Sequence, residues 1–147
     1  MRHVVLTAFA ALALVSAARA ETNMPAEQWA VPYTASPSAI PPCTAPEVLA
    51  KIQTRFADTE ASFWSSNLSI VSIDKVRAIG FRPWGLDFIP RQFCTGVATT
   101  SDGHRRQVNF SIIEDGGIIG WGWGVQWCVV GLDRSLAYAP ACKQALP

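Results

Sequence analysis

Metal-ligand chemistry and one-sided charge are the first things this sequence has little of. Among 147 residues there are 2 histidines and 4 cysteines, charged residues make up 16%, and the formal net charge is +1. That balance excludes the electrostatic footprint of a nucleic-acid or anionic-lipid binder. No two cysteines are spaced Cys-x-x-Cys, and His104 is the only histidine after residue 20. A Cys/His zinc site would therefore consume every thiol, so neither a metal nor a cofactor is expected. Nor does any segment offer the roughly 20 apolar residues a membrane span needs. The glycine-rich stretch "GGIIGWGWG" lacks the strand-to-helix context of a nucleotide loop, because no helix follows it.

The beginning is informative. In "MRHVVLTAFAALALVSAARAE", Arg2 supplies a basic start, Val4 to Val15 an apolar run, and Ala18-Arg19-Ala20 the small-x-small end of a signal peptide. Cleavage between Ala20 and Glu21 predicts a periplasmic or secreted protein with no stable membrane anchor. The remaining 127 residues make one domain, with 10 basic residues against 11 acidic. In an exported chain of this size, Cys43, Cys94, Cys128 and Cys142 read as a disulfide framework.

Residues 21–42 carry five prolines and no hydrophobic period, which predicts a flexible lead segment before a domain over 43–147. "CTAPEVLAKIQTRFADTEASFW" predicts a helix from about residue 45 to 60 or slightly beyond. Thr44 and Glu47 would form a capping box, and Pro46 suits the first turn. Val48, Leu49, Ile52 and Phe56 form the apolar stripe, with Lys51, Arg55 and Glu60 off it. Leu68 to Phe81 predicts a first strand, bulged near Lys75. "RPWGLDFIP", bracketed by Pro83 and Pro90, is a loop holding Trp84 and Asp87.

Two Asp-Gly pairs, Asp102-Gly103 and Asp115-Gly116, predict hairpins that join three further strands. With two-residue turns, Val97 would face Val108, Phe93 would face Ile112, Phe110 would face Trp121, and Val108 would face Trp123. One sheet face would then collect Phe93, Val97, Val108, Phe110 and the tryptophans at 121, 123 and 127. Cys94, Gly96, Ala98, Gly120, Gly122 and Gly124 would take the other. Cys94 and Cys128 would sit two strands apart, about 10 Å, beyond the roughly 7 Å a disulfide spans. Two connectivities remain, of which Cys43–Cys94 with Cys128–Cys142 is favoured. The predicted fold class is α+β, one N-terminal helix on a four-stranded antiparallel sheet, cystatin-like in outline. That outline licenses no inhibitor activity.

For function, Trp84, Asp87, Trp121 and Trp123 are the candidate ligand-binding residues of a non-enzymatic envelope domain whose partner is a protein or a glycan. Against this stands the plainer reading, in which Trp121, Trp123 and Trp127 are core. An alternative is a small periplasmic hydrolase or isomerase using the loop acids Asp87 and Asp133 with His104 as base. Ser101, Asp102 and His104 lie in one tight turn and cannot converge as a triad. A further alternative is a purely structural envelope component. Nothing in the residue order specifies oligomeric state.

The stretches "GFRPWGLDFIPRQFC", "SDGHRR", "WGVQWCVVGLDR" and "AYAPACK" resemble those of a family of small, uncharacterised exported proteins of proteobacteria. The resemblance covers most of residues 43 to 147. It implies that the four cysteines act as one framework, and it implies no ligand or reaction.

Overall fold

A computed structural model describes residues 40–83 and 89–147. The predicted signal peptide, most of the lead segment, Trp84 and Asp87 lie outside the described residues. Ile40 is buried in the core, so the packed unit begins a few residues before Cys43.

Helix α1 runs from Pro46 to Trp64. The expected capping box is absent, because the N-cap is Ala45 and no side chain caps the helix. The reason is local. A residue before proline is driven from the helical region, and Ala45 sits at φ −60°, ψ 127°, so the helix cannot start until Pro46. Val48, Ile52 and Phe56 are buried along its inner side, and Glu60 joins them. Glu60 thus lies on the stripe, one i+4 step beyond Phe56, and not off it as expected. Ser65, in the left-handed region, ends the helix, with the Ser66 N–H donating to the Glu60 carbonyl at 3.0 Å.

Four strands follow, β1 (Ile70–Arg82), β2 (Arg91–Thr100), β3 (Arg105–Ile113) and β4 (Gly124–Val129), in one open antiparallel sheet of order β1-β2-β3-β4. The bulge expected in β1 is there, with a register shift between Asp74 and Arg77 and Lys75 at φ 52°.

Both hairpin registers differ from expectation. The β2–β3 turn has three residues, not two. Thr100 N–H meets the His104 carbonyl at 3.0 Å, Gly103 N–H meets the Thr100 carbonyl at 2.8 Å, and Gly103 takes φ 81°. Val97 therefore pairs with Gln107, and Gly96 with Val108. One added residue turns β2 over. Cys94 and Ala98 face the helix, while Phe93 and Val97 share the reverse face with Asn109 and Ser111.

Between β3 and β4 the connection is far longer than two residues. Phe110 pairs with Trp127 and not Trp121, and Val108 with Val129 and not Trp123. A shift of an even number keeps each side chain on its expected face, so Val125, Trp127 and Val129 lie under α1 as predicted. Phe56 and Trp127 meet there, ring centroids 5.6 Å apart.

Both favoured disulfides are present. Cys43–Cys94 ties the entry of α1 to β2, and Cys128–Cys142 ties β4 to the tail. The flip of β2 separates Cys94 from Cys128 more decisively than strand spacing does, because they lie on opposite faces of the sheet. On the reverse face, Cys128, Cys142 and Ala145 form a small second core with Val130 and Tyr138. No helix among the described residues is long and apolar enough to cross a membrane. Two disulfides in so small a domain fit an oxidising compartment outside the cytoplasm.

Candidate functional site

The alternating glycines and tryptophans do not form a strand. Residues 118–123 belong to the β3–β4 loop, with a short 3-10 turn over Ile118–Gly120. Its base is closed backbone to backbone, Gly117 N–H donating to the Gly122 carbonyl at 3.0 Å and Trp121 N–H to the Ile118 carbonyl at 3.0 Å. A Cβ on Gly117 would lie 1.9 Å from the Trp121 carbonyl oxygen, so the pinch requires glycine there. Gly120 and Gly122 take φ 74° and 70°. These glycines make a turn, where the sequence pattern predicted the bare side of a sheet.

The loop puts its large side chains into solvent. Ile118 is 84% exposed, Ile119 100% and Trp121 89%. Ile119 also sits at φ 57°, a backbone region that β-branched residues avoid. Trp123 behaves otherwise. It is half-buried against the core, with Lys51 Nζ 4.4 Å above its ring, and Lys51 donates to its carbonyl at 3.4 Å. Two of the three tryptophans grouped in the predicted site, Trp121 and Trp123, are therefore separated, one displayed and one packed. For Trp84 and Asp87 only their flanks are described. Arg82 pairs with Arg91, and Glu114 N–H donates to the Pro90 carbonyl at 3.0 Å, so both connections leave the same end of the sheet.

The proposed acid-base group does not assemble among the described residues. His104 is exposed at the hairpin tip, Nδ1 3.3 Å from Asp102. Asp102 also holds Arg106, and the hydrogen bonds from Arg106 and Thr100 keep its carboxyl well below the usual carboxylate range. Asp133 is committed to a turn, its oxygens accepting the Ala137 and Tyr138 N–H groups at 3.1 and 2.8 Å.

A second feature was not foreseen. Between the end of α1, the outer edge of β4 and the 132–138 segment lies a cleft of about 290 Å³. Glu60, only 2% exposed, lines it. Arg134 Nη2 stands 3.0 Å from Glu60 Oε2, yet the contact is an ion pair without hydrogen-bond alignment, and Oε2 has no hydrogen-bond partner. The Arg134 guanidinium also lies 5.6 Å from the Trp64 ring centre. Trp127 and Tyr138 add aromatic wall. Burial pushes the Tyr138 phenol up, with Arg91 opposing and Asp133 adding to it.

Beside the cleft, alternate backbone groups of β4 face its outer edge. Lys51 and Arg55 donate to the carbonyls of Trp123 and Val125, so these point away from β3. Antiparallel alternation then turns the N–H and C=O of Trp127 outward as well, consistent with Val130 N–H reaching the Gln107 carbonyl at 2.9 Å. The signal that could have found the cleft was Glu60 at four-residue spacing from Phe56; its other wall comes from sequence more than sixty residues away.

No family model, no curated protein and no solved structure matches the chain.

Proposed function

We propose that this is a periplasmic or secreted, non-enzymatic binding domain that docks a protein partner through the Ile118–Trp121 loop. The observation that carries this reading is Ile119, fully exposed and held in a backbone conformation unfavourable to it. A connection needed only to join two strands gains nothing from either cost, whereas displayed strain at an apolar tip is the signature of a recognition element. Trp121 beside it is the residue type most enriched at the energetic centres of interfaces.

The chemistry of the flanks narrows the partner. Asp115, exposed, precedes the loop, so the complementary surface is an apolar pocket with a basic rim. An acidic approach disfavours an anionic bilayer, for which basic flanks are the rule. The Trp84 and Asp87 segment, which leaves the same end of the sheet, would extend this surface. Two disulfides and the leader-like first 20 residues support placement outside the cytoplasm.

A photo-crosslinking residue at position 119, in the exported protein in cells, tests the reading. The expected result is one discrete protein adduct, lost when Trp121→Ala is added and absent with the same probe at exposed Val71. Adducts to lipid, to a second copy of this chain, or an indiscriminate ladder like that from position 71 would overturn it.

A further inference from the structure

We propose that the recess between the β1–β2 end of the sheet and the C-terminal tail binds the phosphate group of a small organic phosphate, held by Arg91, Arg82 and Lys143. This inference is independent of the loop reading. It starts from two like charges on neighbouring strands. Arg82, the last residue of β1, pairs directly with Arg91, the first of β2, so both side chains leave the same face of the sheet. Like charges directly opposite one another destabilise a sheet. Burial adds to the cost here: desolvation, and then the charge of Arg82, lower the basicity of the half-buried Arg91. Arg82 is steadied by Phe93, with its guanidinium carbon 5.4 Å from the ring centre. The tail makes a 3-10 turn at Lys143–Ala145 and brings a third cation, Lys143, to the same recess of about 260 Å³.

Among the described residues no anion answers Arg91 or Lys143. Neither makes an ion pair, and no acidic side chain lines the recess. Arg91 donates one hydrogen bond, Nη1 to Gln126 Oε1 at 3.0 Å, and that acceptor is neutral. The bond is exposed, and the other guanidinium nitrogens, Nε and Nη2, are not sealed from solvent. A guanidinium carries five donors, so most of those on Arg91 remain for a ligand that enters. Lys143 is exposed as well. Charge decides the class of ligand. A phosphate monoester brings nearly two negative charges and three strong acceptor oxygens at neutral pH, which match three cations reaching in from three segments. A lone carboxylate brings one charge and two oxygens. Size leaves room for an organic remainder. At about 30 Å³ per water the recess equals roughly nine waters, more than a phosphate group fills, and Phe93 and Leu146 give it apolar lining. Three cations at one point are too few for the extended footprint of a nucleic acid or an anionic bilayer.

The test is amide-resolved NMR titration of the mature protein, at fixed ionic strength, with three named probes: glycerol 3-phosphate, inorganic phosphate and succinate. Both phosphates are expected to shift resonances of residues 81–82, 91–93 and 142–146, the ester binding the more tightly, and succinate is expected to leave them in place. Arg91→Gln should weaken that binding by about tenfold or more, and Lys143→Gln by about threefold to tenfold. If Arg91→Gln fails to fold, the exposed Lys143 position still decides. Ile119→Ser should leave the titration unchanged, which separates this site from the loop. Succinate binding as tightly as the phosphates would overturn the proposal, as would inorganic phosphate binding more tightly than its ester, phosphate binding that Lys143→Gln does not weaken, or a recess that none of the three perturbs.

Discussion

Gly116 and Gly124 lie backbone against backbone at the root of the β3–β4 loop, so close that a Cβ on Gly124 would stand 1.9 Å from the Gly116 carbonyl oxygen. A methyl group there forces the two chains apart, and no flexible side chain is present to yield. Gly124→Ala is expected to cost about 1–3 kcal/mol and to loosen the loop. The check is a denaturant midpoint together with amide exchange at Trp121, whose N–H now bonds within the loop. Unchanged stability and protection would mean that the contact does not exist.

The tryptophans should separate by accessibility. Trp121 stands in water, while Trp123 and Trp127 are packed against the core. Trp121→Phe is expected to remove the largest share of acrylamide-quenchable emission that any of these three contributes. Trp127→Phe should leave quenching nearly unchanged but lower stability, since it loses part of its packing on Phe56. The reverse pattern would place the loop inside the protein.

The two disulfides should differ in both size and reach. Chain-entropy arguments give about 4 kcal/mol for the loop closed by Cys43–Cys94 and about 3 kcal/mol for Cys128–Cys142. Replacing the second pair by serine should free the 130–147 tail while the sheet amides stay protected. Replacing the first should lower protection throughout, because it releases α1 from β2. Hydrogen exchange by residue tests this directly.

Alkaline pH should destabilise the domain through Tyr138. Burial favours its neutral phenol, so the folded-state value is raised above that of the unfolded chain. As pH rises past the unfolded value of about 10, the unfolded state sheds the proton first and stability falls. Ultraviolet titration should show Tyr138 ionising above the ordinary tyrosine value of about 10. Tyr138→Phe should remove the part of the alkaline loss that depends on it.

Asp102 predicts the opposite flank. Hydrogen bonds from Arg106 and Thr100 depress its folded-state value, so what it contributes is present above the unfolded carboxylate value of about 3.9 and disappears as pH falls toward the folded one. Carbon NMR should find its carboxyl still ionised when most other carboxyls are protonated. Asp102→Asn should fray Thr100 to Arg106 without reaching the sheet centre.

Strand existence was legible in β-branched runs, the helix in its four-residue stripe, and the exclusion of a Cys94–Cys128 bridge in the number of strands between those cysteines. The β2–β3 register was not, because Asp-Gly serves two- and three-residue turns alike, and the difference of one residue inverts Phe93 and Cys94. Likewise "GWGWG" satisfies period two while a pinched loop uses the same glycines for close approach and positive φ. Of the predicted site residues, Trp121 is displayed and Trp123 is packed, a distinction carried by what surrounds them and not by their identity.

Residue order alone therefore determined the helix, the four strands in their sequence along the chain and the exclusion of one thiol pairing, all of which follow from local periodicity and from the reach of a covalent bridge. Three-dimensional packing decided the rest: which face of β2 meets the helix, which indole reaches water, and that Glu60 is buried against Arg134. Those outcomes depend on contacts between segments far apart in the chain, whose relative placement no short-range pattern encodes.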